Sequence, residues 1–190
     1  KVADSLRKSS VSKGDRVAVF LCNSMELVYF FVGALKNGSI VVPMNTSFKD
    51  MEAKYMLDDS GAKAVLTDKE TLPIIKNVLP ELNGLKHVIT VGCNEFTDFN
   101  DFVKHASDKE PGVKISGEDG SIIFYTSGTT GRSKGALLSH DNMESDLDAL
   151  KEAGRMTEKD RLLLALPLYH IHILGVALCG SFYNGYSVVL

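Results

Sequence analysis

The chain predicts an α/β fold: layered, mostly parallel sheet flanked by helices. Two observations carry that expectation, and the composition sets the class of chain. Short apolar runs alternate with longer helical patterns along the chain, the rhythm of parallel strands joined by crossover helices. The run Val17–Leu21 is apolar throughout, which suits a strand buried on both faces. The composition is that of an ordinary globular protein, 44% hydrophobic and 24% charged. A chain of 190 residues can bury roughly 70% of its unfolded surface, enough for one sizeable core.

The elements follow in order. Val2, Ala3 and Leu6 read as part of a helix at the start. Arg16–Leu21 reads as a strand. Asn23 is placed to cap the next helix, with Glu26 reaching back as a capping box, and Gly38 ends it. The apolar residues of that helix (Leu27, Val28, Phe30, Phe31, Leu35) run almost all round, so it is expected to be well buried. Ile40–Pro43 is a short strand. Ser47 is expected to cap a helix over Lys49–Asp58, with Gly61 beyond its end. Ala64–Thr67, a helix over Thr71–Leu82 entered near Pro73, a strand His87–Val91 and a helix Phe96–Ala106 complete a first α/β section, residues 1–106. Residues 107–119 are polar, contain Pro111, Gly112 and Gly117, and read as a surface connection.

The second section, residues 120–190, opens with the apolar strand Ser121–Tyr125. Ser139 can cap a helix over Asp141–Ala153. Arg161–Leu166 reads as a strand, Ile171–Tyr183 as an apolar helix and Ser187–Leu190 as a further strand. The chain starts inside a helical pattern and stops at the opening of a strand, so a fragment of a longer protein is expected.

Between the strand and Ala136 lies Tyr125-Thr-Ser-Gly-Thr-Thr-Gly-Arg-Ser-Lys-Gly135, which gathers small hydroxyls, glycines and one lysine. Such a loop suits a polyanionic phosphate. Glycines let backbone N–H groups turn inward as a nest, hydroxyls add short neutral donors, and Lys134 adds a compact positive charge. The Walker A pattern fails on spacing: counted from Gly128, Ser133 stands at the second glycine and Gly135 where Ser or Thr is needed. A strand–loop–strand hairpin is expected instead. The plain alternative is a Ser/Thr/Gly surface loop without a ligand.

Other classes are excluded or unsupported. A net charge of −3 with no basic stripe argues against nucleic acid as a main partner. Cys22, Cys93 and Cys179 are far apart and show no CxxC or CxxH spacing, so a zinc site and a disulfide scaffold both fail. Each is expected to be a small buried side chain in a reducing cytoplasm. No metal-ligating set is identified. The longest apolar runs, Leu27–Leu35 and Leu162–Leu168, are too short for a transmembrane segment. No targeting pattern is present, and nothing reads GxGxxG after the first strand, so NAD binding is unsupported.

Residues 125–140, YTSGTTGRSKGALLSH, resemble the phosphate-loop motif of the AMP-forming acyl-CoA synthetases, the adenylate-forming family that includes luciferases and peptide-synthetase adenylation domains. Ser133 stands where proline is commonest. Three further stretches resemble the same family in order: Lys13-Gly-Asp-Arg-Val-Ala18, Leu35-Lys-Asn-Gly-Ser-Ile-Val-Val-Pro-Met-Asn45 and Leu166-Pro-Leu-Tyr-His170. The first motif is highly specific; the others would be weak alone. The resemblance implies part of the large N-terminal domain of an adenylate-forming enzyme. It implies an ATP-dependent ligase that joins a carboxylic acid to coenzyme A through an acyl-adenylate, with Mg²⁺.

On that reading Thr126, Ser127, Gly128, Thr129, Thr130, Gly131 and Lys134 form the phosphate cradle. Lys134 and Thr130 act on the phosphates, and Arg132 points to solvent. The resemblance places His170 at the mouth of the nucleotide and acyl pockets. For His170 and His172 the bland alternative is packing at a strand–helix junction with their nitrogens satisfied; no third metal ligand is apparent. The Tyr169-His-Ile-His172 arrangement and the Gly131-Arg-Ser-Lys134 stretch look most like those of members acting on short acids, malonyl-CoA synthetases among them, and fatty acyl members remain open. A phosphotransferase or a non-catalytic nucleotide-binding module are the other classes. The adenine- and ribose-binding segments, the hinge and the small C-terminal domain have no counterpart here, so the segment is expected to be inactive alone.

Overall fold

The first long strand organises everything that follows. In the structure, a computed structural model that describes residues 1–126, 132–154 and 156–190, β1 (Arg16–Phe20) lies near the middle of a seven-stranded sheet. It pairs in parallel with β2 (Ile40–Pro43) on one side and β3 (Ala62–Asp68) on the other, Val17 standing opposite both Val41 and Ala64. Beyond β3 come β4 (His87–Val91) and the two-residue β5 (Thr97–Asp98). Beyond β2 come β6 (Gly120–Thr126) and β7 (Lys134–Ser139), so the strand order is β5-β4-β3-β1-β2-β6-β7. Every pairing is parallel except the β6–β7 hairpin. A separate pair of parallel strands, β8 (Arg161–Leu163) and β9 (Ser187–Val189), lies outside it. The expected α/β architecture is present.

Because successive residues of a strand face opposite ways, β1 feeds two cores. Val17 and Val19 join α1 (Val2–Lys8), α2 (Met25–Lys36) and α5 (Phe99–Lys104) through Leu6, Phe30, Phe31 and Phe99. Ala18 and Phe20 pack on the other face against α3 (Asp50–Ser60) and α4 (Leu72–Val78) through Met56, Leu57 and Ile75. The unbroken apolar run of β1 is the consequence.

Several boundaries differ from expectation, each for a local reason. Ser24, not Asn23, caps α2 and accepts from the Leu27 N–H at 3.1 Å. Lys49, not Ser47, precedes α3; the Glu52 carboxylate accepts its N–H at 3.1 Å, while the Ser47 N–H goes to Asn45 Oδ1. Pro80 lacks the N–H that an α-helix would need there, so α4 stops at Val78 and a 3₁₀ turn, Leu79–Glu81, follows. The helix expected from Phe96 starts later. Phe96 has φ 59°, Thr97 and Asp98 pair with β4, and Asp98 caps α5 by accepting from the Asn100 N–H.

The Arg161–Leu166 strand ends at Leu163, because the backbone beyond Leu164 bonds a side chain, described below. α6 (His140–Gly154) begins as expected, with Ser139 and Asn142 bonding each other's backbone N–H at 3.1 Å. The apolar segment after His170 is not one α-helix: His172–Cys179 is wound as a π-helix, and α7 (Gly180–Asn184) continues it. The cysteines are less buried than expected. Cys22 is exposed just past β1, with Sγ 3.6 Å from Glu70 Oε2, and Cys93 and Cys179 are half-buried. Among the described residues no helix is long and apolar enough to cross a membrane.

Candidate phosphate-loop site

The β6–β7 hairpin carries the glycine-rich stretch at its tip. Thr126 is the last residue of β6 and Lys134 the first of β7, and the two are register partners. Opposite residues of an antiparallel pair share a sheet face, so the Thr126 hydroxyl and the Lys134 ammonium flank the entrance of the loop. Both are exposed. Among the described residues no carboxylate lies within ion-pair distance of Lys134. Arg132 is exposed. Ser127, Gly128, Thr129, Thr130 and Gly131, the rest of the expected cradle, lie outside the described residues.

Both stems of the hairpin are tied to α3, which sequence reasoning missed. The Tyr125 hydroxyl donates to Asp59 Oδ2 at 2.6 Å, and the Tyr55 hydroxyl donates to the Ser133 carbonyl at 2.8 Å. The two rings meet edge to face, centroids 6.3 Å apart at 82°. Burial, then the Asp59 carboxylate, pushes the Tyr125 phenol well above its ordinary range, so it stays a donor at neutral pH. One tether precedes the loop and the other sits beside Lys134. If the loop handles a phosphate as the sequence resemblance implies, Tyr55→Phe should lower the rate of its reaction about fivefold, the equivalent of one neutral hydrogen bond near 1 kcal/mol. The same bond is made in the resting fold, so the melting temperature should fall by no more than about 2–4 °C. Steady-state kinetics beside thermal unfolding check this.

His140 closes the motif at the start of α6. Its N–H donates to the Asp119 carbonyl at 3.0 Å, and its Nε2 is buried without a hydrogen-bond partner among the described residues. Burial lowers the affinity of its imidazole for a proton; Asp119 and Asp141 oppose this, and Lys13 adds to it. The unfolded chain therefore binds the proton more readily. Stability should be full above the unfolded value of about 6.5 and fall as the pH drops through the lower folded value. Urea unfolding between pH 5 and 8 should show this slope, and His140→Gln should flatten it.

His170 lies in a turn ahead of the π-helix. Its N–H donates to the Pro167 carbonyl at 3.2 Å, and its carbonyl accepts from Ile173 and Leu174 at 3.0 and 2.9 Å. The ring is exposed and stacks at a tilt on Tyr169, centroids 4.5 Å apart. His172 is also exposed. Among the described residues no group of three His, Cys, Asp or Glu side chains could hold a metal ion.

The family model described as AMP-binding enzyme matches residues 1–190. The chain belongs to that family. The long-chain-fatty-acid–CoA ligase FadD13 of Mycobacterium tuberculosis is 34% identical over 172 residues, covering 90% of this chain and 34% of that protein. The inhibitor-bound N-terminal domain of FACL13 from the same organism superposes with a TM-score of 0.91 at 32% identity, covering 98% of this chain and 46% of that one. ATP-bound MatB from Rhodopseudomonas palustris gives 0.88 at 33% identity, covering 100% and 37%. The chain thus spans about a third of the curated relative and under half of the solved chains.

Proposed function

We propose that the chain is the phosphate-handling part of an ATP-dependent, AMP-forming carboxylic acid–CoA ligase. The observation that carries this reading is the hairpin. It places Thr126 and Lys134 opposite each other at the entrance of a glycine- and hydroxyl-rich loop, with both stems braced on α3. A bound ATP in one related structure supports the choice of nucleotide.

The chemistry explains the residue types. A carboxylate oxygen attacks the α-phosphorus of ATP; the bond to the bridging oxygen breaks and pyrophosphate leaves with the extra charge. The thiolate of coenzyme A then attacks the acyl carbonyl and AMP leaves. Two anions must meet in the first step. Lys134, Thr126 and the loop donors Ser127, Gly128, Thr129, Thr130 and Gly131 would hold the β- and γ-phosphates and offset the growing charge. Lys134 is a clamp, not a general base. His170, exposed on its turn, would face the acid or the nucleotide. Mg²⁺, when bound, would help offset the charge on the phosphates.

The test uses the whole protein that carries this segment, given ATP, Mg²⁺, coenzyme A and acids from acetate and malonate to long-chain fatty acids. Acid-dependent AMP with an acyl-CoA of matching mass supports the proposal and names the acid. ADP, or no nucleotide product with any acid, overturns it. Residues 1–190 alone should give no acid-dependent turnover.

A further inference from the structure

Asn23 sits between β1 and α2, far in sequence from the turn that carries His170, yet among the described residues both of its side-chain hydrogen bonds go to that turn. Its Nδ2 donates to the Leu166 carbonyl at 3.0 Å, and its Oδ1 accepts from the Leu168 N–H at 2.8 Å. The two bonds bracket Pro167, which has no N–H of its own. One amide thus satisfies the donor and the acceptor that a neighbouring strand would otherwise take. The arrangement fixes the amide orientation, since a flipped group would set N–H against N–H and oxygen against oxygen.

The held segment leads directly to His170. Leu168 is 1% exposed and anchors the turn in the core, while Leu166 on the other side of Pro167 is 56% exposed. The Pro167 carbonyl accepts the His170 N–H, and the His170 carbonyl accepts the first N–H groups of the π-helical segment. A shift of the backbone at 166–168 therefore moves His170 and the entry to the π-helix together. Side-chain–backbone bonds of this kind are the ones a short turn needs when no ladder is available.

We propose that Asn23 is a positioning residue. It holds the Leu166–His170 turn in one conformation and acts on the reaction through His170. This rests on the ligase reading only for its kinetic consequence; the tether itself is testable without it.

The experiment uses the whole protein and the variants Asn23→Ala, Asn23→Asp, His170→Ala and the double Asn23→Ala/His170→Ala. Folding should survive, because Ser24 still caps α2. Hydrogen exchange reads the tether directly. The Leu168 N–H should exchange about tenfold faster in Asn23→Ala, one net hydrogen bond's worth. In Asn23→Asp, which keeps the acceptor, it should remain protected. Unchanged exchange at Leu168 in Asn23→Ala overturns the proposal.

The kinetic arm compares kcat/KM for the acid. Asn23→Ala should lose about 10- to 100-fold through misplacement of His170. Asn23→Asp should fall between, having lost the donor to Leu166. In the His170→Ala background the same change should cost under about threefold, since the group it positions is gone. Losses that multiply instead overturn the action through His170. If the wild-type protein gives no acid-dependent AMP, the ligase reading fails, and the exchange arm still decides whether Asn23 holds the turn.

Discussion

Lys134→Ala in the whole protein should lower the rate of acid-dependent pyrophosphate release by about 10²- to 10³-fold. That is the cost of removing one preorganised group from the place where charge develops. The argument is electrostatic. Lys134 is exposed at the start of β7, and no carboxylate among the described residues neutralises it. Its ammonium is thus available to a phosphate. Its removal should leave folding stability within about 0.5 kcal/mol, as for most surface substitutions. Lys134→Arg should not restore the full rate, because a planar fork does not replace a compact charge. Single-turnover pyrophosphate release, measured beside urea unfolding, separates the two effects. A loss below about fivefold with normal folding would move the phosphate clamp away from Lys134.

The contrast between what was and was not legible in the sequence has a physical basis. The β1 run Val17-Ala-Val-Phe20 announced a strand covered on both faces because each face needs its own apolar partners, and both cores are there. The hairpin was legible because glycine, threonine and lysine crowd one short stretch between two apolar runs. Helix caps were less so. Asn23 and Ser24 are both good caps, and nothing local shows that Asn23 is already committed to residues 143 and 145 positions away. The tyrosine braces are hidden for the same reason: Tyr55 looks like one more residue of α3, and its partner Ser133 lies 78 positions on. The π-helical winding of His172–Cys179 has no counterpart in an apolar pattern that a buried α-helix fits equally well. Periodicity reports which face is dry, whereas a site is made by single long-range bonds.

Phe30→Ala should be among the most destabilising substitutions in the chain, costing about 3–5 kcal/mol. Phe30 is fully buried on α2, in the same core cluster as Val17, Val41 and Leu66 of three adjacent strands, and its ring lies 6.5 Å from that of Phe102 at a tilt of 39°. Truncation removes the side chain's burial and leaves a cavity that rigid strands cannot collapse into. The neighbouring Tyr29, 55% exposed on the same helix, supplies the control: Tyr29→Ala should cost less than about 1 kcal/mol. In urea the midpoint for Phe30→Ala should fall with an unchanged m value. Because α2 starts one residue after Ser24, this variant also tests how the core and the Asn23 tether are linked. If helix and tether are independent, the Leu168 N–H keeps its protection under conditions where Phe30→Ala is still folded. A joint loss would mean that packing of α2 on the sheet sets the position of the His170 turn.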